Sequence, residues 1–98
     1  MLIQILLPAR STPEGQAALA ATRRELTERY GGVTAYVRAP ARGAWVSPEG
    51  TEEHDDMIMV EVVTDAFDRT EWRTYARQLA VRFGEQEIHL RAIPAEIL

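Results

Sequence analysis

The sequence predicts an α+β domain with element order βαββαβ. Three observations carry that prediction: two stretches with apolar residues at helical spacing, four stretches with strand-like patterns, and capping or turn residues at the junctions between them.

The first strand is the nearly continuous apolar run over residues 2–7, closed by Pro8. Ser11-Thr12-Pro13-Glu14 then opens a helix with a hydroxyl cap, a proline in the first turn and a glutamate placed to reach back. Ala18, Leu19, Thr22, Leu26 and Tyr30 recur along one side of that helix, and Gly31-Gly32 stops it. Strand two alternates over residues 33–39, with Val33, Ala35 and Val37 on one side and Thr34, Tyr36 and Arg38 on the other. Residues 40–56 read as a long irregular arm, either a protruding β-ribbon or a loop, around Trp45-Val46 and a Ser47-Pro48-Glu49-Gly50 turn. Strand three covers residues 57–64, with Ile58, Val60 and Val62 on one face and Met57, Met59, Glu61 and Val63 on the other. Asp68-Arg69-Thr70-Glu71 opens the second helix, whose apolar stripe is Trp72, Tyr75, Ala76, Leu79 and Phe83, and Gly84 ends it. Ile88, Leu90 and Ala92 alternate with His89, Arg91 and Ile93 in strand four, which Pro94 terminates. The closing Ala95-Glu96-Ile97-Leu98 is too apolar for an idle tail and reads as a segment that packs on a neighbour.

Two right-handed crossovers onto one sheet give the split βαβ arrangement: a four-stranded antiparallel sheet of order 4-1-3-2 with both helices on one face. That is the ferredoxin-like topology. With 98 residues, 46% of them hydrophobic, the chain supports one core and one domain over residues 1–98.

Composition excludes several chemistries. There is no cysteine, which removes thiolate catalysis, zinc–sulfur sites and iron–sulfur clusters. Eleven arginines and no lysine exclude Schiff-base and P-loop lysine chemistry, and the net charge of -4 argues against nucleic acid as a partner. No apolar run approaches the ~20 residues that span a bilayer, and the start has no basic segment ahead of its apolar run. A cytoplasmic location without membrane contact is the expectation. The acidic run Thr51-Glu52-Glu53-His54-Asp55-Asp56 lacks the spaced ligands and glycine bend of a cation loop, so it reads as solvated and no metal is expected. Nor is there a glycine-rich phosphate loop or a nucleophile motif, and no cofactor is expected.

Gly31-Gly32-Val33-Thr34 after a helix, Gly43-x-Trp45, Arg82-Phe83 and Gln86-Glu87-Ile88 ahead of the last strand together resemble small uncharacterised bacterial proteins of ferredoxin-like type. The resemblance spans helix one to strand four. It implies the fold and no activity.

In this topology one sheet face is bare, and alternation assigns to it Gln4, Leu6, Thr34, Tyr36, Arg38, Met57, Met59, Glu61, Val63, His89 and Arg91. Leu6, Met57, Met59 and Val63 would leave apolar surface in water, so a homodimer with its sheets packed face to face is expected. Glu61 has two readings: a general base, or one half of an ion pair with Arg38 across the ladder. His89 reads as an acid or base about 10 Å from Glu61 at ~4.8 Å per strand, with room for a small molecule between them. Arg38 and Arg91 would hold a small anion, with Tyr36 on the same face and Trp45 closing from the arm.

Function is therefore expected to be that of a non-enzymatic homo-oligomeric binding or interaction module. The alternative is a small cofactor-independent enzyme moving a proton on an organic acid or enol through Glu61 or His89.

Overall fold

The computed structural model describes residues 1–31, 34–36, 42–46 and 52–98, with side chains described at 1–31 and 57–98. Its elements are β1 (Leu2–Pro8), α1 (Pro13–Tyr30), β2 (Thr34–Tyr36), β3 (Arg42–Val46), β4 (Glu52–Val63), α2 (Arg69–Phe83) and β5 (His89–Ile93). The chain is an α+β domain with two helices and an antiparallel sheet. Along the sheet the strands run β2-β4-β1-β5, and β3 pairs with β4 off this path.

The helices begin and end on their caps. Thr12 accepts from the Gly15 amide at 3.1 Å, with Pro13 filling the first turn, where no amide hydrogen is needed. Asp68 accepts from the Thr70 and Glu71 amides at 2.9 and 3.2 Å. Both helices stop on a glycine in the left-handed region, Gly31 at φ 79° and Gly84 at φ 68°. Past α2, Arg10 donates to the Phe83 carbonyl and meets the Glu85 carboxylate, so a cation sits where the helix leaves carbonyls unpaired.

Alternation decides what the sheet buries. Ile3, Ile5 and Leu7 of β1 and Ile58, Val60 and Val62 of β4 are at most 3% exposed. They pack with Leu26 of α1 and with Trp72, Leu79 and Phe83 of α2 in one core, so both helices cover the same face. Trp72 stacks on Tyr30 at 5.3 Å and meets Tyr75 edge-on at 6.0 Å, which ties the two helices together beside that core.

Of the two readings of the arm, the β-ribbon is the one found: β3 lies antiparallel to residues 52–56, from Arg42 opposite Asp56 to Val46 opposite Glu52. The start of strand three and the reading of the acidic run are corrected. Strand three therefore begins at Glu52 rather than Met57, and the acidic run belongs to a β-ribbon instead of a solvated loop. β4 works in two parts: residues 57–63 pair with β1, and residues 52–56 continue the strand beyond the sheet to carry β3. Of the strand expected over 33–39, the structure describes Thr34–Tyr36.

Candidate functional site

The register converts the open face into rows. Val63, Leu2 and Ile93 form one row across β4, β1 and β5. Two residues along, Thr34, Glu61, Gln4 and Arg91 occupy corresponding positions on β2, β4, β1 and β5. The next row is Tyr36, Met59, Leu6 and His89, and Met57 lies beyond it opposite Pro8. A polar row is thus bracketed by two rows rich in apolar side chains. Val63 is 45% and Ile93 38% exposed, while Leu2, Leu6, Met57 and Met59 are partly buried.

Within the polar row, Gln4 Nε2 donates to Glu61 Oε2 at 2.8 Å. The carboxylate is partly buried in mid-strand, and this amide satisfies one of its two oxygens. On β2 the residue opposite Glu61 is Thr34, and Arg38 lies outside the described residues. Sequence reasoning placed Gln4 on this face but missed its role, because the pairing depends on the β1–β4 register.

The other expected residues separate. Arg91 stands opposite Gln4 and so shares the row of Glu61. His89 stands opposite Leu6, two strands across and two residues along from Glu61, or about 12 Å away on strand spacings. Tyr36 is opposite Met59, one strand from the centre of the face. Trp45 lies on β3 opposite Glu53, in the ribbon and off the four-strand path. The open face brings together Glu61, Gln4 and Arg91 in one row; it does not bring His89 into that row.

A second polar cluster joins the helices on the other side of the molecule. Arg82 of α2 donates to Glu25 of α1 through both terminal nitrogens, at 2.8 and 2.6 Å, and to Thr22 Oγ1 at 2.9 Å. Tyr75 donates its hydroxyl to the same carboxylate at 2.9 Å. The bond from Arg82 holds the Glu25 carboxyl below the usual range, against the opposing effect of burial. Burial first, and then the bond to Glu25, push the Tyr75 phenol well above its ordinary value. The same carboxylate raises the Arg82 guanidinium. Thr22 is fully buried and also donates to the Ala18 carbonyl at 2.8 Å. These mutual bonds make the cluster a structural clamp between α1 and α2.

No protein-family model matches the chain, and no curated protein matches it. Among solved structures, the fold is similar to that of CutA from the phytopathogenic bacterium Xylella fastidiosa. The likeness covers 98% of this chain and 85% of that one, with a TM-score of 0.56 and 14% identity. At that identity the similarity is one of fold alone.

Proposed function

We propose that the chain is a non-enzymatic, homo-oligomeric interaction module of ferredoxin-like type, and that the open sheet face is its contact surface. The observation that carries this reading is the pair of apolar rows. Leu2, Val63 and Ile93 on one side of Glu61 and Leu6 and Met59 on the other lie on the face away from both helices, with Val63 and Ile93 exposed. Apolar surface of that kind favours burial by about 25 cal/mol per Å².

The row order also suits self-recognition. A two-fold axis along β1 sets β4 of one copy over β5 of the other, and so Glu61 over the partner's Arg91. Each polar row then satisfies the other while the apolar rows meet. Magnitude sets a further condition. Four strands and the seven residues of β1 span roughly 450 Å², against about 800 Å² per partner in a stable pair. The β3–β4 ribbon supplies the remainder in this reading. A small anion, if one is taken, sits on Arg91, with Arg38, Tyr36 and Trp45 as its further contacts.

The enzymatic alternative draws less support, because Gln4 engages the Glu61 carboxylate and His89 stands on another row. Solution mass by light scattering tests the proposal. The native chain is expected to exceed the mass of one copy, and Met59→Glu to return it to that mass. A native chain that stays at one copy across concentrations overturns the reading, as does Met59→Glu with unchanged mass.

A further inference from the structure

Helix α2 carries arginines at 69, 73 and 77, spaced four apart and so aligned along one side. They rim a groove of about 590 Å³ between α2 and β5, floored by Trp72, Ile88, Leu90 and Ala92, with Pro94 at its end. That volume lies in the range of sites that hold ligands. Among the described residues none of the three arginines forms an ion pair; Arg77 Nη2 reaches only Thr74 Oγ1, at 3.4 Å. In a chain of net charge -4 this is a local concentration of positive charge over an apolar floor.

The groove is open along β5, which pairs with β1 and ends the strand order. An end strand presents unpaired amides and carbonyls, and an apolar groove beside it suits the addition of an extended segment as a further strand. The molecule carries a segment of matching chemistry. Residues 94–98 leave β5 fully in solvent, with Ile97 74% exposed and Leu98 without cover, and Glu96 is their acid. In their own copy residues 95–98 stand exposed outside the groove, which ends at Pro94.

We propose that the groove between α2 and β5 receives residues 94–98 of a second copy, added to the edge of β5 as an antiparallel strand. A two-fold axis at Ile93 sets Pro94 opposite Ala92 and Glu96 opposite Leu90. Leu90 and Ala92 line the groove, so Glu96 enters on the side rimmed by the arginines, while Ala95 and Ile97 extend the open face. The exchange is reciprocal, each copy contributing its tail to the other's groove. This contact is separate from the open-face contact and stands or falls independently of it.

The absence of cysteine makes the test clean. Ile93→Cys places two thiols across the proposed axis, where the Cα separation of directly opposed strand residues suits a disulfide. Val63→Cys, at a comparably exposed position on the open face, is the control. Under mild oxidation Ile93→Cys is expected to form a covalent dimer at least tenfold faster than Val63→Cys. Adding Arg73→Glu should suppress that linkage about tenfold, and adding Glu96→Arg to the pair should restore it. Equal rates for Ile93→Cys and Val63→Cys overturn the proposal. Linkage indifferent to Arg73→Glu also overturns it, since strand edges would then meet without a tail in the groove. Titration with decanoate covers the other occupant: binding that depends on Arg73, without Ile93→Cys linkage, assigns the groove to small amphipathic anions instead.

Discussion

Arg82 and Glu25 stand 57 residues apart in sequence and meet through two parallel hydrogen bonds that join α2 to α1. Geometry of this kind is the strong form of an ion pair, although partial exposure of both groups limits its worth. Glu25→Gln is expected to cost about 1 kcal/mol at pH 7, lowering Tm by about 4–8 °C in a domain of this size. The pH dependence carries the diagnosis. The folded-state pKa of Glu25 is lowered, so its contribution is present above the unfolded value and lost as pH falls through the folded one. The Tyr75 phenol is raised, so its contribution is full below the ordinary tyrosine value and lost as pH rises through the shifted one. Thermal melts of the native and Glu25→Gln chains should therefore differ at neutral pH and converge in acid. A difference that persists unchanged to pH 2 would remove the ion pair as its cause.

Gly15 keeps Arg10 in place. A Cβ at residue 15 would lie 2.8 Å from the Arg10 Cβ and 3.0 Å from its carbonyl oxygen, closer than real contacts allow. The neighbouring segment would have to shift, and with it the guanidinium that holds the Phe83 carbonyl and Glu85. Gly15→Ala improves helix propensity by up to about 1 kcal/mol, yet a net loss of about 1–2 kcal/mol is expected from the displaced contact. Urea unfolding reads the sign directly, and a stabilised variant would show that the segment adjusts freely.

The sequence disclosed the elements whose signals are local. Thr12, Asp68, Gly31 and Gly84 act as the caps their types predict, and alternation separated Ile3, Ile5 and Leu7 from Gln4 and Leu6. The ribbon was half legible. Residues 52–56 are acidic with low strand propensity, and they are extended because they continue β4 and pair with β3. The clamp was not legible at all. Tyr75 falls on the apolar stripe of α2 and Arg82 beside it, and nothing within one helix reports a carboxylate on the other. The same holds for Glu61: its type and face were readable, but its partner is fixed by the register between β1 and β4.

Thr64 supplies a prediction of opposite sign. Its amide donates to the Met1 carbonyl at 2.9 Å, which closes the end of the β1–β4 ladder. Its hydroxyl is buried without a partner among the described residues, and the residue is 4% exposed. An unsatisfied buried hydroxyl costs about 1–3 kcal/mol, whereas valine fills nearly the same shape without it. Thr64→Val is expected to raise stability by about 1 kcal/mol in chemical denaturation, with Thr64→Ser destabilised by the lost methyl group. A destabilised valine variant would mean that the hydroxyl has a partner in solution.

Gln4 offers a way to ask whether the open face is covered. Its amide is the donor to Glu61, and Gln4→Leu removes that donor while adding apolar surface to a row that already lies between apolar rows. If the face is open to water, the Glu61 carboxylate is rehydrated and the loss stays within about 0.5 kcal/mol. If a second copy covers the face, the carboxylate loses its amide inside a contact, and the cost rises toward about 1–3 kcal/mol. Self-association makes the two cases separable, because stability that comes from assembly grows with protein concentration. The native chain is expected to melt at higher temperature as concentration rises, and Gln4→Leu to flatten that dependence more than it lowers the melting point of the dilute protein. Equal losses at every concentration would place Glu61 and Gln4 on a surface that remains in solvent.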